Sequence, residues 1–214
     1  MTKDHTNHDH GHEHAGMLEG DAEPGYYPTR LRAIEALLIE KGICTLAEVE
    51  CAVNATDLRS AADGARVVAR AWLDPEFKAR LLTDAISAVS ELGYDIPDNM
   101  PRLTALENTD KVHYLVVCTL CSCYPWPVLG LPPRWYKYPA YRSRAVIEPR
   151  GVLREFGLDI DESVEVRVWD STSDVRYMVL PQRPSGTYGM GEEELAGLVT
   201  RDSMVGVAIV EAPP

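Results

Sequence analysis

The chain has 214 residues, enough for one domain with a core of its own, and its 33 acidic against 21 basic side chains give a formal charge of −12. This balance argues against nucleic acid or an anionic membrane surface as a partner. No apolar stretch is long enough to cross a bilayer, and the first residues are polar and His-rich rather than a secretory signal, so we expect a cytoplasmic protein.

Residues 1–25 form the first predicted segment, and we expect a disordered tail there. Histidines stand at positions 5, 8, 10, 12 and 14 among acidic residues, glycine and asparagine. Alternating histidines can hold nickel, zinc or cobalt loosely, but nothing in the pattern orients the imidazoles into one geometry. A solvated tail is therefore the preferred interpretation.

Residues 26–100 are predicted to form a helical N-terminal arm. Apolar residues recur at helical spacing over 28–41, with Gly42 placed to end the helix, which predicts one buried face. A second helix is predicted over about 61–72 and a third over 74–93, where aspartate is the cap and proline takes the first position. These apolar stripes need a covering surface, either a second polypeptide or the rest of this chain.

Residues 101–214 are predicted to form the body of the protein. Short β-branched runs at 112–117, 164–169 and 175–180 predict strands, and a last helix is predicted over about 192–200. The fold class that follows is α+β, with a helical N-terminal arm followed by a mixed α/β layered body.

Three of the five cysteines, Cys118, Cys121 and Cys123, stand within six residues directly after a predicted strand. Secreted disulfide scaffolds do not show this odd, clustered pattern, which in a reducing compartment is typical of a metal site or a catalytic thiol. Cys44 and Cys51 stand apart, and we expect them to be small buried residues.

The Cys-x-x-Cys-x-Cys spacing admits more than one chemistry. A tetrahedral zinc site would need a second ligand pair, and a redox dithiol does not need a third cysteine. The nearest other candidate ligand, His113, is expected to be a strand residue instead. In a claw, three sulfurs would surround one ion while the turn aims its own peptide nitrogens at it. Deprotonated amides of Ser122 and Cys123 would leave a sixth position open and favour trivalent low-spin iron or cobalt over zinc.

A family resemblance adds to this interpretation. The run VCTLCSCYPWPVLGLPP at 117–133 closely resembles the metal loop of nitrile hydratase α subunits, and the similarity covers most of the chain from about Val67 onward. It implies the fold of that subunit and an enzyme that hydrates nitriles to amides. Further resembling segments lie at 135–137, 141–144, 149–153, 168–171, 180–184 and 198–202.

The resemblance also implies roles for individual residues. Cys118, Cys121 and Cys123 would be the sulfur ligands, and Ser122 and Cys123 would also bind through backbone nitrogen. Cys121 would carry a sulfinate and Cys123 a sulfenate. Thr119 stands where cobalt members have threonine and iron members have serine, which implies one cobalt(III) per chain, with iron(III) as the alternative.

Trp126 lies three residues after Cys123 and would line the substrate pocket, as in the family. The related thiocyanate hydrolase γ subunits have arginine at this position. Taken alone, a tryptophan between two prolines is more typical of a core anchor.

The implied mechanism begins with a trivalent ion acting as a Lewis acid on the nitrile nitrogen, which makes the carbon electrophilic. The nucleophile is then the sulfenate oxygen of Cys123, a water that it activates, or a metal-bound hydroxide. The sequence does not decide among them, and Cys123 is the candidate catalytic residue, as direct participant or base.

The implied partners are a nitrile hydratase β subunit, in an αβ or α2β2 assembly, a metallochaperone or activator, and a small nitrile as substrate. The β subunit of the family supplies two arginines to the oxidised cysteines. Arg142, Arg144 and Arg150 are local candidates for the same role, although surface or interface ion pairs are the more typical fate of such residues.

Two regions depart from the family. Residues 52–63 lack its Tyr-Glu-Asn-Glu-Val-Gly-Pro run. Residues 91–100 lack the Gln-containing stretch usually found before the metal loop, so that role is empty or filled by Asn99. The alternatives to a nitrile hydratase are a thiocyanate hydrolase γ-type subunit and a non-catalytic zinc or iron–sulfur protein.

Overall fold

The first half of the chain is helical in the computed structural model, which describes residues 25–94, 96–97 and 100–213. The predicted tail, apart from its last glycine, and Asn99 lie outside the described residues. The five helices of this half are α1 (Tyr26–Glu40), α2 (Leu46–Asp57), α3 (Ala61–Leu73), α4 (Pro75–Thr83) and α5 (Ala85–Glu91).

Side-chain caps define where these helices begin. Thr45 and Ser60 form capping boxes at the starts of α2 and α3. Asp74 caps α4 by accepting from the amides at 76 and 77, and Asp84 caps α5 by accepting from Ser87. The single helix predicted over 74–93 is therefore wrong, because the second aspartate ends one helix and begins the next.

The apolar face of α1 is exposed, contrary to the prediction that it is buried. Leu31, Ile34 and Leu37 are each about half exposed or more, and α1 has no buried residue. Helix α2, which the apolar pattern did not predict, likewise exposes Leu46 and Val53. The other described residues leave the apolar faces of these two helices largely exposed.

Two pairs of parallel strands form the centre of the body. Strand β1 (Arg102–Glu107) pairs with β4 (Val175–Leu180), and β2 (Val112–Val117) pairs with β3 (Glu165–Asp170). The predicted strands are confirmed within one residue, and β1 was not predicted. Because β2 and β3 are parallel and in register from 112 with 165 to 117 with 170, their carboxyl ends lie side by side.

Short helices surround the strands. The helix predicted over 192–200 is in fact two, since it ends before Gly197 and a new one begins after the cap of Thr200. The helices of the body are α6 (Trp126–Leu129), α7 (Pro139–Ile147), α8 (Pro149–Glu155), α9 (Glu192–Ala196) and α10 (Arg201–Val205), with a 3-10 turn at Arg134–Lys137.

The core joins α3, α4 and α5 to the strands. Val67, Val68, Leu81, Leu115 and Val117 are completely buried in one apolar cluster. The mixed α/β body that was predicted is thus confirmed. Among the described residues, the helices are too short or too polar to cross a membrane.

His113 ties β2 to the chain near its carboxyl end. Its Nε2 lies 2.7 Å from the carbonyl of Gly206, which can only accept, so this nitrogen carries the proton. Its Nδ1 lies 3.2 Å from Nδ2 of Asn108, whose oxygen accepts from the Tyr114 amide at 2.8 Å. Burial lowers the pKa of His113, and the ring is neutral in this network. It is a strand residue, as expected.

Candidate metal centre

The three clustered cysteines come together where β2 ends. Cys118 is fully buried, Cys123 is half-buried and Cys121 is exposed. The Sγ atoms of Cys118 and Cys121 lie 3.5 Å apart, and those of Cys121 and Cys123 lie 3.1 Å apart. All three sulfurs lie within 4.8 Å of one another. The spacing in the sequence therefore becomes a triangle of donors that opens toward the surface.

The spacing of the sulfurs fits a single ion. With metal–sulfur bonds of about 2.3 Å, two sulfurs at a right angle are about 3.3 Å apart, and two at a tetrahedral angle are about 3.8 Å apart. The observed 3.1 and 3.5 Å lie closer to the right-angled value. Thiolate donors are soft and suit iron, cobalt or zinc. The donor set and its spacing thus fit a single metal ion.

The peptide nitrogens of the turn face the same place. The amide of Cys121 donates to Sγ of Cys118 at 3.3 Å. The amides of Ser122 and Cys123 act as donors to the Cys121 sulfur. Three consecutive peptide nitrogens are therefore directed at the sulfur triangle. The claw itself, in which the Ser122 and Cys123 nitrogens bind the ion, stays a prediction.

The thiols differ in acidity. Hydrogen bonds from Cys123 and Cys118, with smaller contributions from the two amides, lower the pKa of Cys121 to about 7. Burial, followed by the hydrogen bond to Cys121, raises the pKa of Cys123 to about 12. Without a cation the triangle resists a second negative charge, because the sulfurs are so close. A bound cation would relieve this repulsion.

Asp170 holds the loop from the end of β3. One carboxylate oxygen accepts from the Thr119 amide at 2.9 Å, and the other accepts from the Thr119 hydroxyl at 2.5 Å. The amide of Ser171 donates to the carbonyl of Val117 at 2.7 Å, which continues the strand pairing to the loop. The parallel register of β2 and β3 places these residues together.

Tyr136 holds the other end of the loop. Its hydroxyl donates to the carbonyl of Cys123 at 2.9 Å, and its ring is completely buried. The ring packs edge-on against Tyr124, with centroids 5.0 Å apart, and also contacts Trp135 and Tyr141. This aromatic cluster fixes the donor hydroxyl, so the position of Cys123 is set by the body of the protein.

Trp126 begins α6 and is half-buried against the core. A Cβ on Gly130, just after α6, would lie 2.9 Å from the Arg59 carbonyl, and one on Gly64 would lie 2.4 Å from Leu129. Helices α3 and α6 therefore approach as closely as only glycine allows. This contact fixes the position of α6 and therefore of Trp126, which follows the last cysteine by three residues.

The three candidate arginines have different interaction partners. Arg144 forms ion pairs with Glu148 and Glu155, as expected for such residues. Arg150 donates to backbone carbonyls at 160, 161 and 164. Arg142, in contrast, donates to the carbonyls of Thr119 and Leu120 in the loop itself.

The sequence reasoning missed Asp170 and Tyr136. Both lie in segments of the family resemblance, 168–171 and 135–137, and that was the signal available for them. Cys44 and Cys51 are half-buried and exposed, so the expectation that both are buried was wrong. Among the described residues, neither they nor His113 join the cysteine triangle.

Known proteins share this sequence and fold. The family model for the nitrile hydratase alpha chain matches residues 26–208. The low-molecular weight cobalt-containing nitrile hydratase subunit alpha of Rhodococcus rhodochrous is 55% identical over 185 residues, or 86% of this chain and 89% of the relative. The thiocyanate hydrolase subunit gamma of Thiobacillus thioparus is 41% identical over 187 residues, covering 83% and 77%.

The solved structures agree in fold. A double mutant of the Fe-type nitrile hydratase from Comamonas testosteroni Ni1 superimposes with a TM-score of 0.84 at 41% identity, covering 90% of this chain and 94% of that one. The backbone likeness thus includes an iron-type protein, whereas the sequence identity is higher to the cobalt-containing relative.

Proposed function

Since this chain belongs to the nitrile hydratase α-chain family, we propose that it hydrates nitriles to amides at a low-spin cobalt(III) ion. The observation that carries the proposal is the triangle of Cys118, Cys121 and Cys123 sulfurs. The 55% identity to a relative named as cobalt-containing favours cobalt over iron(III). Thr119, at the position that distinguishes the two types in the sequence resemblance, is in keeping with this choice.

The proposed ligands are the three sulfurs and the backbone nitrogens of Ser122 and Cys123. Bound there, the trivalent ion would supply Lewis acidity to the nitrile. The chain contributes the shape of the site: Asp170 and Tyr136 hold the two ends of the loop, so the donors meet without a large rearrangement. Preorganised ligands lower the entropic cost of binding the ion.

Cys121 and Cys123 are proposed to carry a sulfinate and a sulfenate. In this form Cys123 is the proposed catalytic residue, because its sulfenate oxygen can attack the nitrile carbon or accept a proton from the attacking water. Tyr136 holds the Cys123 carbonyl and so restrains the backbone from which this side chain extends. Trp126 is proposed to line the pocket beside it.

The proposed assembly includes a nitrile hydratase β subunit, as αβ or α2β2, and an activator that delivers the metal. The arm of residues 26–100 would meet the β subunit through the exposed apolar residues of α1 and α2. Surfaces of this kind are typical of protein–protein contacts. The isolated chain is therefore expected to have little activity.

Metal analysis of the purified complex tests the proposal. About one cobalt per α chain is expected, and mass spectrometry of the peptide containing Cys121 and Cys123 should show two added oxygens on the first and one on the second. A tetrahedral divalent metal with three unmodified thiols would refute the claw.

Product analysis separates this function from its rival. The 41% identity to a thiocyanate hydrolase subunit gamma makes that enzyme the second candidate. We expect amide from a small nitrile and no carbonyl sulfide from thiocyanate. Release of carbonyl sulfide at a higher kcat/KM than that for nitriles would reverse the assignment.

A further inference from the structure

Arg142 reaches the metal loop from α7. Its Nη2 lies 3.0 Å from the carbonyl oxygen of Thr119 and 3.2 Å from that of Leu120, and it donates to both. These are the two residues between Cys118 and Cys121. A single nitrogen on a neighbouring helix thus holds the carbonyls of both intervening residues.

Together with Asp170, Arg142 holds Thr119 by hydrogen bonds from two sides. Asp170, at the end of β3, accepts from the amide and the hydroxyl of this residue, while Arg142 donates to its carbonyl. The bonds to Asp170 attach the loop to the sheet, and the bond from Arg142 attaches it to α7. The two peptide units that flank Thr119 are therefore both held by charge-assisted hydrogen bonds.

The exposure of Leu120 explains why the hydrogen bonds from Arg142 are needed. Its side chain is 87% exposed, so packing does not hold this part of the loop. Hydrogen bonds to the main chain are the remaining restraint on the distance between the sulfurs of Cys118 and Cys121. The planar guanidinium suits this task, because it presents its donors in a fixed direction.

We propose that Arg142 is a positioning residue, which holds the Thr119–Leu120 segment so that Cys118 and Cys121 meet at the ion. It acts through the backbone carbonyls of these two residues. Its value for catalysis rests on the proposed function, whereas its effect on loop order does not require cobalt or nitriles.

The test compares three variants in the full α chain bound to its partner subunit. Arg142→Met removes the donors and keeps the length of the side chain, while Arg142→Lys keeps the charge and one point of donation. Arg144→Met is the matched control, because it lies on the same helix but contacts Glu148 and Glu155 instead of the loop.

Amide hydrogen exchange of the peptide spanning the loop is measured first, in the metal-free complex. We expect Arg142→Met to exchange at least about tenfold faster there and to leave distant peptides unchanged. After loading with cobalt, its sulfur-to-cobalt absorption should shift. We further expect kcat for a small nitrile to fall at least about tenfold with KM within about twofold. Arg142→Lys should lie between this variant and the wild type.

Exchange and absorption identical to the wild type in Arg142→Met would overturn the proposal, as would equal effects in Arg144→Met. If the wild type binds no cobalt and hydrates no nitrile, the proposed function fails, and the exchange result in metal-free protein still decides the role of Arg142. Should Arg142→Met not fold, the same comparison is made with Arg142→Lys.

Discussion

Thr119 and Asp170, which are 51 positions apart in the chain, are joined by a pair of hydrogen bonds, one from the Thr119 amide at 2.9 Å and one from its hydroxyl at 2.5 Å. The carboxylate therefore binds the residue that follows the first cysteine at two points. Both bonds are charge-assisted, which makes them stronger than bonds between neutral groups.

Replacement of Asp170 by Asn tests this pair. The amide of asparagine can accept only one of the two donors, so the loop loses part of its restraint. We expect metal affinity or kcat to fall by about tenfold, as is usual when an outer partner of a metal site is removed. Cobalt content and nitrile turnover measure the effect. Asp174→Asn, an exposed carboxylate in the next turn, should behave like the wild type.

Removal of the Tyr136 hydroxyl should affect both stability and the site. Tyr136→Phe leaves the Cys123 carbonyl without its buried donor, at a cost of about 1–3 kcal/mol in the free energy of unfolding. Tyr141→Phe is the matched change, since that hydroxyl donates to the Val116 carbonyl within the strand. Both should unfold at lower denaturant concentration. Only Tyr136→Phe should alter the sulfur-to-cobalt absorption, and equal spectra would contradict the role given to Tyr136.

Loss of one ligand should abolish metal binding. Cys118→Ser replaces a buried soft donor with a weak hard one, and we expect cobalt content to fall below about a tenth of the wild-type value. Cys51→Ser changes an exposed cysteine outside the triangle and should leave the metal content intact. Elemental analysis of the two purified variants checks both statements. Full cobalt content in Cys118→Ser would refute the ligand assignment.

Stability should fall at mildly acidic pH because of His113. Its pKa is lowered in the folded state by burial, while the unfolded chain has a value of about 6.5. The unfolded state therefore binds the proton more readily below this pH. The contribution of the ring is complete above about pH 6.5 and is lost as the pH falls toward the folded value, at no more than about 1.4 kcal/mol per pH unit.

Denaturant unfolding at several pH values between 8 and 5 measures this effect. His113→Gln should be less stable at pH 8, because the network with Asn108 and Gly206 is broken. Its stability should also depend less steeply on pH than that of the wild type. Parallel curves for the two proteins would show that His113 is not the responsible group.

Gly206 should tolerate no side chain. Its φ is +93°, and a Cβ there would lie 2.0 Å from the Tyr114 carbonyl oxygen. Gly206→Ala combines left-handed backbone strain with a backbone clash, so we expect a loss of at least about 3 kcal/mol. Gly189→Ala is the control, since a Cβ at Gly189 would meet nothing within 4 Å. Thermal unfolding of the two variants should differ by many degrees.

The sequence predicted the strands β2 and β4 because valine and other apolar residues dominate both runs. Strand β1 was missed, since Arg102, Thr104 and Glu107 interrupt its apolar residues. The break at Asp84 was missed because the apolar stripe continues through it, although the cap acts locally. An apolar stripe on α1 correctly predicted a helix but not its exposure, which depends on what the rest of the chain covers.

The site was predictable to the extent that it is local. Cys118, Cys121 and Cys123 lie within six residues, so their spacing alone indicated that they could share an ion. Asp170 and Arg142 reach the loop only through the register of β2 with β3 and the packing of α7. Contacts between distant parts of a chain leave no period or spacing in the sequence. The resemblance included the segments of Asp170 and Arg142 but did not indicate that either residue binds the loop backbone.

The separation of Thr119 from Asp170 also fixes an order of events during protein synthesis. Thr119, which stands among the cysteines, leaves the ribosome 51 residues before the carboxylate that shapes their loop. At roughly 5–20 residues per second, this delay lasts about three to ten seconds. An ion that arrives earlier meets three thiols on a loop that has not yet folded against Asp170. We therefore expect the proposed metal site to take its shape only after β3 has been translated.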